Sequence, residues 1–259
     1  MLDIQSTPDT REIPLRKVGI KDLKYPVKVL DKLHGTQRTT AAVDLFVNLP
    51  HDYKGTHMSR FIEIFHKHYE ELGMKQFLSM LEEMRASLQA ERAFGSIRFP
   101  FFMEKEAPVS GEKSIMCYEC MYEGEVGNGR QDFFVSVAVP VTTVCPCSKA
   151  ISDYGAHNQR GVVTVKLQNK SLFWLEDVIA AIEGSASSGL YSILKRPDEK
   201  FVTEHAYNNP RFVEDVVREV YLALKNFTLC ERPFSWFSVE CKNFESIHNH
   251  NAYAYTELQ

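Results

Sequence analysis

VSVAVPVTTVCPCSKAISDYGAHNQRG, residues 135–161, is the stretch around which the chain is organised. Valines alternate with smaller or polar residues in its first part, which predicts a half-buried strand. The strand leads to Cys145 and Cys147, and a polar loop then carries His157. Side chains alternate along an extended backbone and Pro146 keeps Cys145 extended, so we expect both thiols on one side. Thiolate and imidazole are ligands for zinc and similar metals, and so small a set favours a catalytic site that keeps a position open for water.

Outward from this stretch, the apolar periodicity predicts two halves with a similar order of elements. The predicted strands are 25–31, 39–49, 94–102, 114–123, 132–144, 161–167, 234–244 and 252–258. The predicted helices are 58–72, 75–92, 172–184 and 210–224, the last with Asn209 as N-cap and Pro210 at its first position. A long loop is expected over 185–209. Antiparallel sheets with paired helices on one face indicate an α+β fold of two modules, 18–128 and 129–259.

The composition narrows the class of protein. The chain has 259 residues and a net charge of −4, which argues against a nucleic-acid polymer as partner. Its N-terminus lacks the apolar run of a signal peptide, and no segment is apolar for long enough to span a membrane. Six cysteines without a secretion signal indicate thiols in a reducing compartment. We therefore expect a soluble cytoplasmic protein that binds a small molecule.

The remaining cysteines are predicted to be structural. Cys117 and Cys120 lie in a predicted strand, where positions i and i+3 face opposite ways, so they are expected to diverge and pack. Cys230 and Cys241 have no partner at ligand spacing and are expected in the core. The alternative for Cys145 and Cys147 is the same packing role.

Spacing alone leaves the third ligand of a metal site open. The candidates are Glu199, Glu204, His205, His248 and His250. His248 and His250 lie on one side of an extended segment and suit proton transfer near neutral pH, but polar residues at a strand end are the alternative.

Five segments resemble the type IB GTP cyclohydrolases. They are KGTHMSRF (54–61), CPCSKAISDYGAHNQRG (145–161), KRPDEKFVTEHA (195–206), FVEDVVREV (212–220) and ESIHNHNAYA (245–254). The resemblance implies two tandem tunnelling-fold modules of ββααββ type and a homo-oligomer, with a tetramer favoured. It also implies conversion of GTP and water to 7,8-dihydroneopterin triphosphate and formate, an entry step to folate-type pterins and deazaguanine compounds.

The resemblance assigns roles within the predicted site. It implies that Cys145, His157 and Glu199 hold a divalent metal, with Zn²⁺, Mn²⁺ and Fe²⁺ all open, and that Cys145 is catalytic. Cys147 becomes a neighbour of the metal ligands or of the substrate, or a thiol that pairs with Cys145 on oxidation. Glu214 is expected to clamp the guanine edge, and the alternative is an exposed ion pair with Arg218 on the same helix.

Cationic side chains flank the predicted site and are candidates for binding the triphosphate, or else they are solvated surface charges. They are His57, Arg60, Lys149, Arg160, Lys195, Arg196 and Lys200. The residues alone are compatible with two other functions. One is a nitrile reductase or another pterin-pathway enzyme with a cysteine nucleophile, and the other is a non-catalytic, metal-stabilised purine-binding module.

Overall fold

The computed structural model describes residues 5, 7–168, 171–230, 232 and 234–258. Its elements follow in the order β1 Leu15–Asp31, β2 Gly35–Leu49, α1 Met58–His68, α2 Met74–Ser87, β3 Arg92–Glu106, β4 Lys113–Gly127, β5 Arg130–Val144, α3 Pro146–Ile151, β6 Asn158–Gln168, α4 Leu175–Ser185, β7 Ser188–Gly189, α5 Arg196–Asn208, α6 Val213–Lys225, β8 Trp236–Phe244 and β9 Ala252–Glu257. The chain divides into two compact units, Met1–Pro100 with Met121–Val135, and Phe101–Cys120 with Ser136–Gln259.

The first unit is a sheet with two helices packed on it. Its strands lie in the order β1-β2-β3-β4-β5, and β1 pairs antiparallel with β2 from Leu15↔Leu49 to Asp31↔Gly35. Residues at i, i+3 and i+4 spacing bury one face of each helix, as an amphipathic stripe requires; they are Phe61, Ile64 and Phe65 on α1 and Phe77, Met80, Leu81 and Met84 on α2. A Cβ at Gly95 would lie 2.9 Å from the side chains of Leu81 and Phe77, so glycine lets α2 approach β3 closely.

The second unit contains the residues of the predicted metal site. Its strands lie in the order β3-β4-β5-β6-β8-β9, with β7 paired to β5 through Val141↔Gly189. β8 pairs antiparallel with both β6 and β9. Helices α4 and α6 bury apolar stripes that include Val178, Ile179 and Ile182 on α4 and Val216, Val217 and Val220 on α6.

The structure confirms an α+β fold with an antiparallel sheet. Each predicted strand overlaps an observed one, and the first six elements follow the predicted order ββααββ. The module boundaries 18–128 and 129–259 stay a prediction.

Two local predictions about the second half are wrong. The expected loop 185–209 contains β7 and helix α5. The predicted cap Asn209 closes the C-terminus of α5, and α6 begins at Val213 with Phe212 as its N-cap. The reason is that α5 buries little apolar surface: its buried residues are Asp198 and Ala206, so no apolar stripe marks it in the sequence.

The cysteine predictions outside the site are confirmed only in part. Cys120 and Cys241 are buried, and Cys117 faces away from Cys120 as expected. Cys117 is nevertheless exposed, and Cys230 is only half-buried, so neither is a core residue. All six cysteines are free thiols. Within the described residues, no helix is both long and apolar enough to cross a bilayer.

Candidate active site

Cys145 lies at the junction of β5 and α3. β5 ends at Val144, and Pro146 occupies the first turn of α3, where its missing N–H costs no helical hydrogen bond. Cys145 is the N-cap of α3, and its Sγ accepts a hydrogen bond from the backbone N–H of Ser148 at 3.4 Å. The expectation that Cys147 continues an extended strand is therefore wrong. Cys147 lies within the helix and is exposed, whereas Cys145 is half-buried.

The backbone holds His157 beside Cys145. The N–H of Cys145 donates to the carbonyl of His157 at 3.1 Å. The hydroxyl of Ser148 accepts from the N–H of His157 at 3.1 Å and donates to the carbonyl of Cys145 at 3.2 Å. These bonds close the loop between α3 and β6, so two of the predicted ligands are neighbours before any ligand binds. Sequence analysis missed Ser148, although serine often forms local hydrogen bonds with the backbone at the start of a helix.

The side chain of His157 connects this loop to the segment before β9. Its Nδ1 lies 3.0 Å from Oε1 of Gln159 and 3.2 Å from Oγ of Ser246. His248 and His250 follow Ser246 closely, and their rings stack at a centroid distance of 5.1 Å with an interplanar angle of 17°. Both are exposed and lie on the same side, as predicted, but in a bent rather than extended segment. The stacked histidines thus lie two and four positions after a residue that contacts His157.

Glu199 lies in the first turn of α5 and is exposed. In the described part of the chain, no three His, Cys, Asp or Glu side chains are already gathered as a metal site. A thiol and an imidazole on adjoining backbone suit zinc or a similar ion as a partial donor set. Glu199 as the third ligand stays a prediction.

Asp198, which sequence analysis did not single out, fixes the start of α5. It is fully buried and accepts from the N–H groups of Val109, Ser110 and Lys195, each at 2.8 Å, and from the Ser110 hydroxyl at 2.6 Å. Desolvation raises the pKa of the Asp198 carboxyl, but these hydrogen bonds outweigh it and hold the pKa well below its usual range. The buried carboxylate ties the first turn of α5 to the β3–β4 connection. It thereby positions the segment that carries Glu199.

Glu214 is an exposed residue of the first turn of α6. The backbone N–H of Arg211 donates to the carbonyl of Val144 at 3.0 Å, which brings the start of α6 to the end of β5, beside Cys145. The alternative ion pair with Arg218 is not formed, because Arg218 lies 3.6 Å from Asp215 instead. Across the described residues, the Glu214 carboxylate has no hydrogen-bond or ion-pair partner.

The predicted phosphate-binding cations differ in the ion pairs that they already make. Arg160 and Arg196 are exposed and make no ion pair with any described residue. Lys195 and Lys200 lie 3.9 Å from Glu112 and Glu204 respectively. These contacts are long and exposed, so a polyanion can displace them at little cost.

Two further cations are engaged by backbone carbonyls. Lys149 donates to the carbonyl of Tyr207 and lies 4.3 Å from the centroid of its ring. Arg60, in the first unit, donates to the carbonyl of Ser87 at 3.2 Å. His57 is the N-cap residue of α1 in that unit.

The sequence is similar to one family of proteins over nearly the whole chain. The model of a family described as type I GTP cyclohydrolase folE2 matches residues 1–254. The chain is 54% identical over 259 residues to a GTP cyclohydrolase FolE2 of Syntrophus aciditrophicus, covering 100% of both chains. It is 51% identical over 257 residues to a GTP cyclohydrolase FolE2 of Geobacter sulfurreducens, covering 99% of this chain and 98% of that one.

A solved structure supports the fold alone. The uricase of Arthrobacter globiformis superposes with a TM-score of 0.52 at 7% sequence identity, covering 94% of this chain and 93% of that chain. An identity this low carries no functional argument.

Proposed function

The chain belongs to the folE2 family of type I GTP cyclohydrolases, and we propose that its reaction takes place beside Cys145 and His157 with a bound divalent metal. As a GTP cyclohydrolase, it converts GTP and water to 7,8-dihydroneopterin triphosphate and formate. The proposed location rests on one observation above all. The hydrogen bond from Cys145 to the His157 carbonyl joins these residues, and the Ser246 contact of His157 adds the histidine segment. This family identification replaces the nitrile reductase and binding-module alternatives.

The proposed metal is Zn²⁺, Mn²⁺ or Fe²⁺, held by Cys145 and His157, with Glu199 as the third ligand. A thiolate, an imidazole and a carboxylate are all ligands that these ions accept, and three protein ligands leave a position for water. When bound there, such an ion would lower the pKa of a water toward about 7 and would thus supply the hydroxide that attack on guanine C8 needs. The N–H of Ser148 donates to Cys145 Sγ at 3.4 Å and so holds the sulfur at the start of α3. Cys147 is exposed and is proposed as a neighbour of the ligands rather than as one of them.

Glu214 is proposed to hold the guanine. A carboxylate accepts from guanine N1–H and N2–H together, a bidentate contact that fixes the orientation of the base. Two observations support this role: the carboxylate has no partner among the described residues, and the start of α6 is tied to Val144. Holding the base at one end and the phosphates at the other would place C8 beside the Cys145–His157 pair.

The triphosphate is proposed to bind cations of the second unit. Arg160 and Arg196 are exposed and unpaired within the described chain, and Lys195 and Lys200 make only long contacts. His57, Arg60 and Lys149 are secondary candidates, since Arg60 and Lys149 would have to exchange a carbonyl for a phosphate oxygen.

His248 and His250 are proposed to transfer protons. Ring opening, loss of formate and reclosure each move protons, and an imidazole can donate or accept them near neutral pH. Their stacked rings are exposed and follow Ser246, which contacts His157.

We further propose that the chain forms two tandem tunnelling-fold modules, 18–128 and 129–259, in a cytoplasmic homo-oligomer, with a tetramer favoured. The support is the element order. The first half reads ββααββ, and the second half repeats it as β5, β6, α4, α6, β8 and β9, with α3, β7 and α5 inserted.

The decisive experiment measures product and metal on one preparation. Purified protein is stripped with a chelator, reloaded with Zn²⁺, Mn²⁺ or Fe²⁺, and incubated with GTP. We expect formate and, after oxidation, a fluorescent pterin from the reloaded protein but not from the stripped one. Full turnover by protein that elemental analysis shows to be metal-free would contradict the proposal that the reaction requires a metal. Turnover that persists in Cys145→Ala would contradict the proposal that the reaction takes place beside Cys145.

A further inference from the structure

The contacts of His157 determine which ring nitrogen carries a hydrogen. Oε1 of Gln159 lies 3.0 Å from Nδ1, and an amide oxygen can only accept a hydrogen bond. With Oε1 of Gln159 facing it, Nδ1 is the nitrogen of a neutral imidazole that would carry the hydrogen. The lone pair is left on Nε2, which makes no hydrogen bond to any residue that the structure describes.

The side chain of Gln159 is itself held in place. Gln159 is the second residue of β6, and its side chain lies on the buried face of that strand, with 7% exposed. Its Nε2 donates to Oγ1 of Thr143 at 2.9 Å, and Thr143, on β5, is fully buried. A buried amide must satisfy its polar atoms, and this one does so with Thr143 at one end and His157 at the other. The strand, rather than a metal, thus holds the Gln159 side chain beside His157.

We propose that Gln159 is a positioning residue that keeps His157 in the Nδ1–H tautomer and so leaves Nε2 free to bind the metal. The proposal rests on the proposed function in taking His157 as a ligand. Residues that accept from the second nitrogen of a ligating histidine commonly contribute 10- to 100-fold to metal affinity. Gln159 would supply that effect with a neutral acceptor, and Thr143 would anchor it.

The first test reads the tautomer on the wild-type protein. Metal-free full-length protein, labelled with ¹⁵N in histidine, is examined at a pH where the imidazoles are neutral, and long-range ¹H–¹⁵N correlations report each tautomer. The signal of His157 is assigned by its loss in His157→Ala. We expect Nδ1–H for His157. A dominant Nε2–H tautomer would overturn the proposal while leaving the cyclohydrolase reaction and its metal intact.

The second test compares two matched variants. Gln159→Leu has similar volume but no acceptor, and Gln159→Glu keeps an acceptor facing Nδ1. Co²⁺ affinity is measured by chelator competition with the visible absorbance of the bound ion. We expect Gln159→Leu to lose Nδ1–H and roughly 10- to 100-fold in affinity, and Gln159→Glu to retain both. Unchanged tautomer and affinity in a folded Gln159→Leu would overturn the role of Gln159.

Thr143→Val tests the anchor without touching the histidine contact. It removes only the hydroxyl, and we expect a mixed tautomer for His157 and a smaller loss of affinity than in Gln159→Leu. If wild-type protein turns over GTP but Co²⁺ affinity is the same in His157→Ala, the metal assignment of His157 fails and the proposal fails with it. The reaction itself would then stand.

Discussion

Replacing Glu214 with glutamine separates a guanine clamp from a surface carboxylate. Because the ion pair with Arg218 is absent, the substitution removes no ion pair of the folded protein. What it removes is a negative charge in the first turn of α6, where the helix dipole contributes about 0.3–1 kcal/mol. For a chain of this size, 1 kcal/mol corresponds to about 2–4 °C in Tm. We therefore expect Glu214→Gln to melt within a few degrees of the wild type.

The effect on catalysis should be much larger. Glutamine replaces one acceptor oxygen with an NH₂ donor that faces the N–H groups of guanine. The substitution loses one charge-assisted hydrogen bond and leaves the glutamine NH₂ facing a guanine N–H. Together these two effects should cost roughly 2–4 kcal/mol. At about 1.4 kcal/mol per factor of ten, kcat/KM for GTP should fall by roughly 30- to 1000-fold. Metal content, measured on the same preparation, should not change.

The neighbouring residue provides the matched control. Asp215 accepts from the N–H of Phe212 at 3.0 Å, the N-terminal hydrogen bond of α6, and lies beside Arg218. Asp215→Asn should cost about 1 kcal/mol of stability and leave kcat/KM nearly unchanged. Wild-type kinetics in Glu214→Gln would refute the clamp, and loss of metal from that variant would place Glu214 among the ligands.

Three further predictions follow from other contacts. Cys145→Ala should lose both metal and turnover, whereas Cys147→Ala should keep most of its metal by elemental analysis; equal losses would indicate two thiol ligands. Lys105 Nζ lies 2.7 Å from Glu183 Oε2, with side chains 11% and 13% exposed. Lys105→Met should therefore cost roughly 3–5 kcal/mol in denaturant unfolding. The double variant with Glu183→Leu should recover part of this loss, and strict additivity would refute a coupled pair. Because the folded-state pKa of Asp198 is depressed, its stabilisation is present above the unfolded-state pKa of about 4 and is lost as the pH falls through the folded-state pKa. The unfolding free energy of the wild type should thus be higher than that of Asp198→Asn, and the difference should be larger at pH 7 than in acid. A difference that does not change with pH would contradict this.

Elements whose burial is periodic could be predicted from the sequence. Alternation over β5 and β6 and the apolar stripes of α1, α2, α4 and α6 identify strands and helices, because side-chain direction repeats with fixed periods along each. The chemistry of the proposed site was also visible, since Cys145 and His157 lie in one short stretch of unusual composition.

Local signals for α3 and α5 were present but weak. Each helix has proline in its first turn, at Pro146 and Pro197, which is a typical helix start. Neither has an apolar stripe: α3 has no buried residue, and α5 is held by a buried aspartate. Periodicity could therefore not reveal them.

Contacts between residues far apart in the chain could not be predicted from the sequence. Asp198 binds Ser110, 88 positions away in the chain, and His157 contacts Ser246, 89 positions away. A sequence pattern records which side chains are buried, since burial depends on local periodicity. It does not record the partner that satisfies a buried polar atom, since that partner is brought by the path of the whole chain.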